Sequence, residues 1–139
     1  MDVPVQPILL SDVELTLGDD NYEAHVDSVL FEPAAQIVKW KGMTPAAQFN
    51  FATIADWIGK LSFAQDWATA ASLSQFLYDN EGKPITATFK PKKAEGVGTV
   101  PTWTVTIIAT PGRIGGDGDT VATATVTVAC QGKPLKTLS

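Results

Sequence analysis

Three ligand-type side chains fall close together near the start of the chain: Glu23, His25 and Asp27, with His25 the sole histidine of the sequence. On a strand these positions share one face, which invites a metal reading. Next-but-one residues on a strand are about 7 Å apart, too far for all three to reach one small cation comfortably, so a surface histidine beside two acids is the better account. Cys130 is the sole cysteine and ends the run Val126 to Cys130. A nucleophilic thiol needs exposure and a nearby base, and these neighbours supply a small apolar setting instead. No serine stands in a G-x-S-x-G elbow. The glycine cluster GRIGGDGD, residues 112–119, lacks the lysine and hydroxyl of a phosphate loop and falls between strand-like runs. Asp117 and Asp119 within it suit a turn better than a calcium site. No catalytic, cofactor-binding or metal-ligating residue is assigned, no cofactor is expected, and the chain reads as a non-enzyme.

Binding chemistry is similarly sparse. The run Lys90-Pro91-Lys92-Lys93 is the one basic cluster, and a solvated turn accounts for it. Four tryptophans (Trp40, Trp57, Trp67, Trp103) could stack on sugars, but Trp103 belongs to a regular apolar face, and Trp40 is expected to pack as well. The net charge of −5 and pI near 4.6 argue against a surface that holds nucleic acid through its phosphates. The charge is unevenly placed: residues 1–32 carry eight acids and no Lys or Arg, whereas residues 33–139 carry seven acids and ten bases. Asp19, Asp20, Glu23 and Asp27 are therefore candidates for an electrostatic contact between copies or for one acidic wall of a channel; a solvated acidic hairpin is the plain alternative.

The elements that must position these residues are mostly strands. With 139 residues, 45% of them hydrophobic, the chain is expected to be a single domain with a real core. Val13, Leu15 and Leu17 alternate with polar residues, and Gly18 to Asn21 reads as a turn. Tyr22, Ala24, Val26, Ser28 and Leu30 then predict one long second strand, although Val29 and Phe31 break the alternation near its end. Further strands are predicted over 36–41 and 59–65, the latter with Leu61 and Phe63 inward. Trp103, Val105 and Ile107 alternate with threonines, as do Ala124, Val126 and Val128. These two runs are expected to pair as a hairpin across the loop from Pro111 to Thr120.

One helix interrupts the β pattern, predicted at about residues 69–80. Leu73, Phe76 and Leu77 share a face, Ser72 with Gln75 fits a capping box, Gly82 fits the stop, and Pro84 forbids continuation. The fold class expected is therefore mainly β: an antiparallel sandwich or small barrel of seven or eight strands with one short flanking helix. Gly42 to Trp57 is long for a loop, yet carries Met43, Phe49, Phe51, Ile54 and Trp57. These are the candidate subunit-interface residues of an arm reaching to a neighbour, the alternative being an irregular strand pair of the same domain. Pro4, Pro7 and the apolar residues 8–10 similarly suggest an N-terminal arm over residues 1–11. No stretch suits a signal peptide or a membrane span, so synthesis in a cytoplasm is expected.

The order and spacing of several pieces carry a resemblance over roughly residues 10–138. They are the N-terminal strand pair, LSFAQDW at 61–67, the helix–strand block SLSQFLYDNEGKPITATFKP at 72–91, PGRIGG at 111–116, the strand at 122–130 and QGKP at 131–134. Together these resemble the major tail tube proteins of long-tailed phages, especially siphophages of actinobacteria. The resemblance implies a virion structural protein whose copies close into hexameric rings. Stacked rings would make the DNA conduit from capsid to host cell, and DNA would pass without specific binding. It also implies tape-measure, tail-tip and tail-terminator partners and no membrane. A tail terminator or connector of the same virion, or a stand-alone β-sandwich module binding glycan or protein, are the alternatives.

Overall fold

The computed structural model describes residues 2–5, 7–10, 12–91 and 101–137. Its strands are β1 (Glu14–Leu17), β2 (Asp20–Asn21), β3 (Val26–Ala34), β4 (Ile37–Lys41), β5 (Gln48–Ala52), β6 (Asp56–Ala64), β7 (Pro84–Lys90), β8 (Thr102–Ile108), β9 (Thr123–Ala129) and β10 (Leu135–Thr137); the helix α1 is Leu73–Asp79. A five-stranded sheet ordered β10-β8-β7-β1-β2 faces a three-stranded sheet ordered β3-β6-β9, and β4 and β5 form a separate two-stranded ribbon. All pairings are antiparallel. The eight strands of the sandwich match the expected architecture, with the ribbon added to them.

Alternation decides the two inner faces. In the larger sheet Leu15, Phe89 and Trp103 form one cross-strand row and Leu17, Ala87 and Val105 the next. In the smaller sheet Leu61 lies opposite Val126, and Phe63 opposite Ala124. Leu15, Leu17, Leu61, Phe63, Ile107 and Val128 are almost completely removed from solvent between the sheets, and fully burying each such side chain is worth about 1.5–3 kcal/mol. Gly59 sits under Phe31: a Cβ there would stand 3.0 Å from the Phe31 ring and from Val128.

The helix closes one side of this core with Leu73 and Leu77, both fully buried. Ser72 is the N-cap, its Oγ accepting from the Gln75 N–H at 3.4 Å. Only half of the expected capping box forms, because the Gln75 amide donates to the carbonyls of Trp67 (2.8 Å) and Thr69 (3.0 Å) instead. A hydrogen bond from the Thr69 side chain, then those from the N–H groups of Thr69 and Ala68, hold the Asp66 carboxyl below the usual range. Ala71 precedes the cap with a left-handed φ of 63°, and its carbonyl accepts from the Tyr22 hydroxyl at 2.8 Å. Burial, then the nearby Asp20, push that hydroxyl up to about 12.

Two strand expectations are corrected. The run from Tyr22 to Leu30 is not one strand: the chain turns at 23–25, closed by the His25 N–H donating to the Tyr22 carbonyl at 2.9 Å. Tyr22 caps the core while β3 starts afresh at Val26. A bulge between Val26 and Ser28 then shifts the phase, so Val29 and Phe31 pack on the core; this is the physical reason the alternation breaks. Nor do β8 and β9 form a hairpin. β8 pairs with β7 and β10, β9 with β6, and only the isolated bridge between Ile107 and Cys130 joins their ends. Their alternating faces meet across the core rather than edge to edge.

The loop from Pro111 to Thr120 therefore crosses between sheets. The Gln65 amide ties it down, donating to the carbonyls of Gly115 (2.9 Å) and Thr123 (2.8 Å) and accepting from the Gly115 N–H (3.0 Å). At Gly112 a Cβ would stand 2.9 Å from that of Ala124 and 3.2 Å from the Phe63 ring, so the loop is pressed onto the core edge.

Candidate functional site

The segment between β3 and β6 is an ordered ribbon. Ile37 lies opposite Ala52, Val38 opposite Phe51, Lys39 opposite Asn50, Trp40 opposite Phe49 and Lys41 opposite Gln48. Residues directly opposite each other share a face, so the ribbon has two distinct sides. One carries Val38, Trp40, Phe49 and Phe51; the other carries Ile37, Lys39, Lys41, Gln48 and Asn50. Every residue of both strands is exposed. Trp40 is 60% and Phe51 59% open to solvent, and the Trp40 and Phe49 rings are 5.9 Å apart.

Local chemistry explains the shape. The Gly42 N–H donates to the Ala47 carbonyl at 2.7 Å and closes the tip. A Cβ on Gly42 would lie 2.6 Å from that of Ala47 and 3.3 Å from the Trp40 ring, so glycine is required where the strands cross. At the base Thr53 donates its N–H to the Gln36 carbonyl (2.8 Å), and its Oγ1 accepts from the Gln36 N–H (2.9 Å). Between residues 33 and 55 the charges are Lys39 and Lys41, with no acid. A two-stranded hairpin is marginal alone in water, and an exposed aromatic face this regular is a candidate contact surface.

The sequence-derived interface residues distribute over this arm. Phe49 and Phe51 lie on the apolar face, Met43 is at the tip and Ile54 at the base, all exposed. Trp57 is not on the arm: it is half-buried at the mouth of the sandwich beside Phe31, Phe89, Trp103 and Pro134. Val38 and Trp40 share that face and were not among the sequence-derived candidates. Trp40 was expected to pack in the core, and the signal that it does not is its alternation with Lys39 and Lys41 ahead of a glycine turn.

The outer face of the larger sheet is a second distinctive surface. Asn21, Thr16, Thr88, Thr104 and Leu135 follow one another across its five strands, and Thr86 lies opposite Thr106. Glu14 and Lys90 are opposite each other toward one end. The centre of this face is hydroxyl-bearing and uncharged.

The acidic candidates divide between this sheet's edge and the start of the other sheet. Asp19 and Asp20 are exposed at the β1–β2 turn, Asp27 is exposed near the start of β3, and Glu23 is half-buried in the intervening turn. No cluster of three metal-ligating side chains occurs among the described residues. Burial pushes the half-buried Cys130 thiol up, away from nucleophilic character at neutral pH. Lys92 and Lys93 of the basic run lie outside the described residues. Among those residues, no helix is long and apolar enough to cross a membrane.

No protein-family model and no curated protein matches the sequence. The fold, by contrast, has solved neighbours over almost the whole chain. A chain of the PVC sheath/tube terminator of an extracellular contractile injection system, in the extended state, superposes with a TM-score of 0.70 at 12% identity, covering 97% of this chain and 99% of that one. A chain of the PVC sheath-tube complex of such a system, also extended, gives 0.67 at 13% identity, covering 96% and 93%. At this identity the likeness establishes a shared fold: the sandwich with its single helix is an architecture that also occurs among components of tube-and-sheath assemblies.

Proposed function

We propose that this chain is a structural subunit of a phage-like tail, and within that class a tube protein whose copies close into hexameric rings that stack around a DNA conduit. The observation that carries the reading is the amphipathic ribbon: an ordered arm with an uncovered aromatic face suits a protein completed by its neighbours. The fold neighbours support the coarse class, since both come from tube-and-sheath systems. The threonine face is the candidate lumen wall, because a wet, uncharged surface lets DNA slide without releasing counterions. Asp19 and Asp20, at that sheet's edge, would keep the rim of the wall negative. The role is mechanical, with no enzymatic step, and its site is the virion tail after synthesis in the host cytoplasm. Tape-measure, tail-tip and terminator proteins are the expected partners.

A second reading, a tail terminator that forms one ring and stops, is favoured by the neighbour drawn from a sheath/tube terminator. Electron microscopy of the concentrated protein, with and without isolated tail tips as nuclei, separates the two. Stacked hollow tubes support the tube subunit and single rings the terminator; a protein that stays monomeric on tail tips overturns both.

A further inference from the structure

The open end of the sandwich contains an apolar groove of about 240 Å³ between the two sheets, lined by Phe31, Trp57, Phe89, Trp103 and Pro134. A second depression shares Trp103 and Pro134 and continues along Lys133, Leu135 and Lys136. Register places Lys136 directly opposite Trp103, on the same side of the sheet. The combined channel is thus aromatic at one end and basic at the other, and no acid lines either part among the described residues.

The chain also carries a segment of complementary chemistry. Its N-terminus reads Asp2-Val3-Pro4-Val5-Gln6-Pro7-Ile8, with two prolines at the P-x-x-P spacing and an acid ahead of them. Residues 2–5 and 7–10 have no regular structure, and Val3 and Val5 are 81% and 83% exposed. Proline restricts such a segment to the polyproline II conformation, so little entropy is lost on docking, and aromatic-lined grooves are the usual receptors for it. The ribbon is a poorer occupant: two paired strands bearing Trp40, Phe49 and Phe51 are too wide for a groove of this volume. Pro4, Val5 and Pro7 are exposed within one copy, and none of the described residues of that copy fills the groove.

We propose that the groove receives the Pro4–Pro7 segment of a second copy of this chain, its prolines against Trp57 and Trp103 and its Asp2 toward Lys133 and Lys136. This rests on the reading above only in requiring a second copy, and it assigns the N-terminal residues and the sandwich mouth as the two halves of one interface.

The test is photocrosslinking in the full-length protein at assembling concentration, with a benzophenone amino acid at Val5 and an equal mixture of isotopically light and heavy copies. Mixed light–heavy cross-links to peptides containing Trp57, Trp103 or Pro134 are expected. Their yield should fall about tenfold in the Pro4→Ala/Pro7→Ala variant, whose changes lie on exposed chain and leave the fold intact. Lys133→Glu/Lys136→Glu should lower the yield similarly, and adding Asp2→Lys should restore it. Cross-links confined to one copy, cross-links to the ribbon or elsewhere, or none at all would overturn the proposal. Rings in the microscope without groove cross-links refute this inference and spare the tube reading; groove cross-links in a protein that only dimerises do the reverse.

Discussion

Replacing Phe51 by serine separates assembly from folding. Phe51 sits mid-ribbon opposite Val38 with 59% of its surface in water, so the isolated subunit loses little: exposed substitutions of this kind change stability by about 0.5 kcal/mol or less. In an assembly that covers the aromatic face, the same ring would bury its remaining surface, on the order of 120 Å² for an aromatic of this size. At about 25 cal/mol per Å² that is about 3 kcal/mol per contact, or a loss of about 150-fold in pairwise affinity. A ring presents the arm once per subunit, so the critical concentration for assembly should rise by at least that factor. Sedimentation velocity and negative-stain microscopy over a concentration series read the assembly, and thermal unfolding of the dilute monomer reads the fold. A variant that assembles at the wild-type concentration would refute the idea that this face is covered; one that unfolds many degrees early would show that the ribbon supports the subunit itself.

Three further outcomes follow from the packing. Tyr22 has a hydroxyl pKa of about 12 in the fold against 10.0 when free; because the folded state holds its proton longer, the stabilisation is complete below pH 10 and declines as pH rises from 10 to 12. Discounted for solvent screening, the swing is about 1–2 kcal/mol, and a Tyr22→Phe variant followed by denaturant titration should lose that alkaline slope. Gly112→Ala should cost about 1–3 kcal/mol in the same assay, since its methyl would meet Ala124 at 2.9 Å. Ala71→Gly relieves a left-handed φ of 63° and should raise stability by up to about 1 kcal/mol, seen as a higher unfolding midpoint.

The sequence makes faces legible and leaves neighbours hidden. Leu61, Phe63, Val105, Ile107, Val126 and Val128 were all readable as inward because period-two alternation is a local property of each strand. Which strand lies beside which is not local: β1 pairs with a strand seventy residues later, and nothing in the threonine pattern tells β8 that its edges belong to β7 and β10. The false long strand at Tyr22 has the same origin, as a turn of three residues happened to preserve the alternation of Tyr22, Ala24 and Val26. The helix was clear because its signals at Ser72, Gly82 and Pro84 are punctuation rather than pattern. The arm was visible as an apolar stretch too long for a loop, yet Trp57 was grouped with it by proximity in sequence alone. The groove went unseen, since its lining comes from five separate segments.

The ribbon and the sandwich differ in how far apart their partners lie along the chain, and this sets an order of events. β4 and β5 close over a short turn, and hairpins of that kind form in about 1–10 μs. The larger sheet must bring Leu15 to Phe89 and Leu17 to Ala87, and the smaller one must bring Leu61 to Val126; pairings of such separation place β-rich domains in the millisecond-to-second range. During synthesis at about 5–20 residues per second, both ribbon strands are made seconds before the last strands that complete the body, and their hairpin, marginal alone, forms only transiently until then. The arm of the proposed assembly would thus be made first, while the chain's own core is still unfinished. In the assembly proposed above, any receiving surface built from distant strands would come into being only once a subunit has folded, so completed copies would accept arms and half-made ones would not.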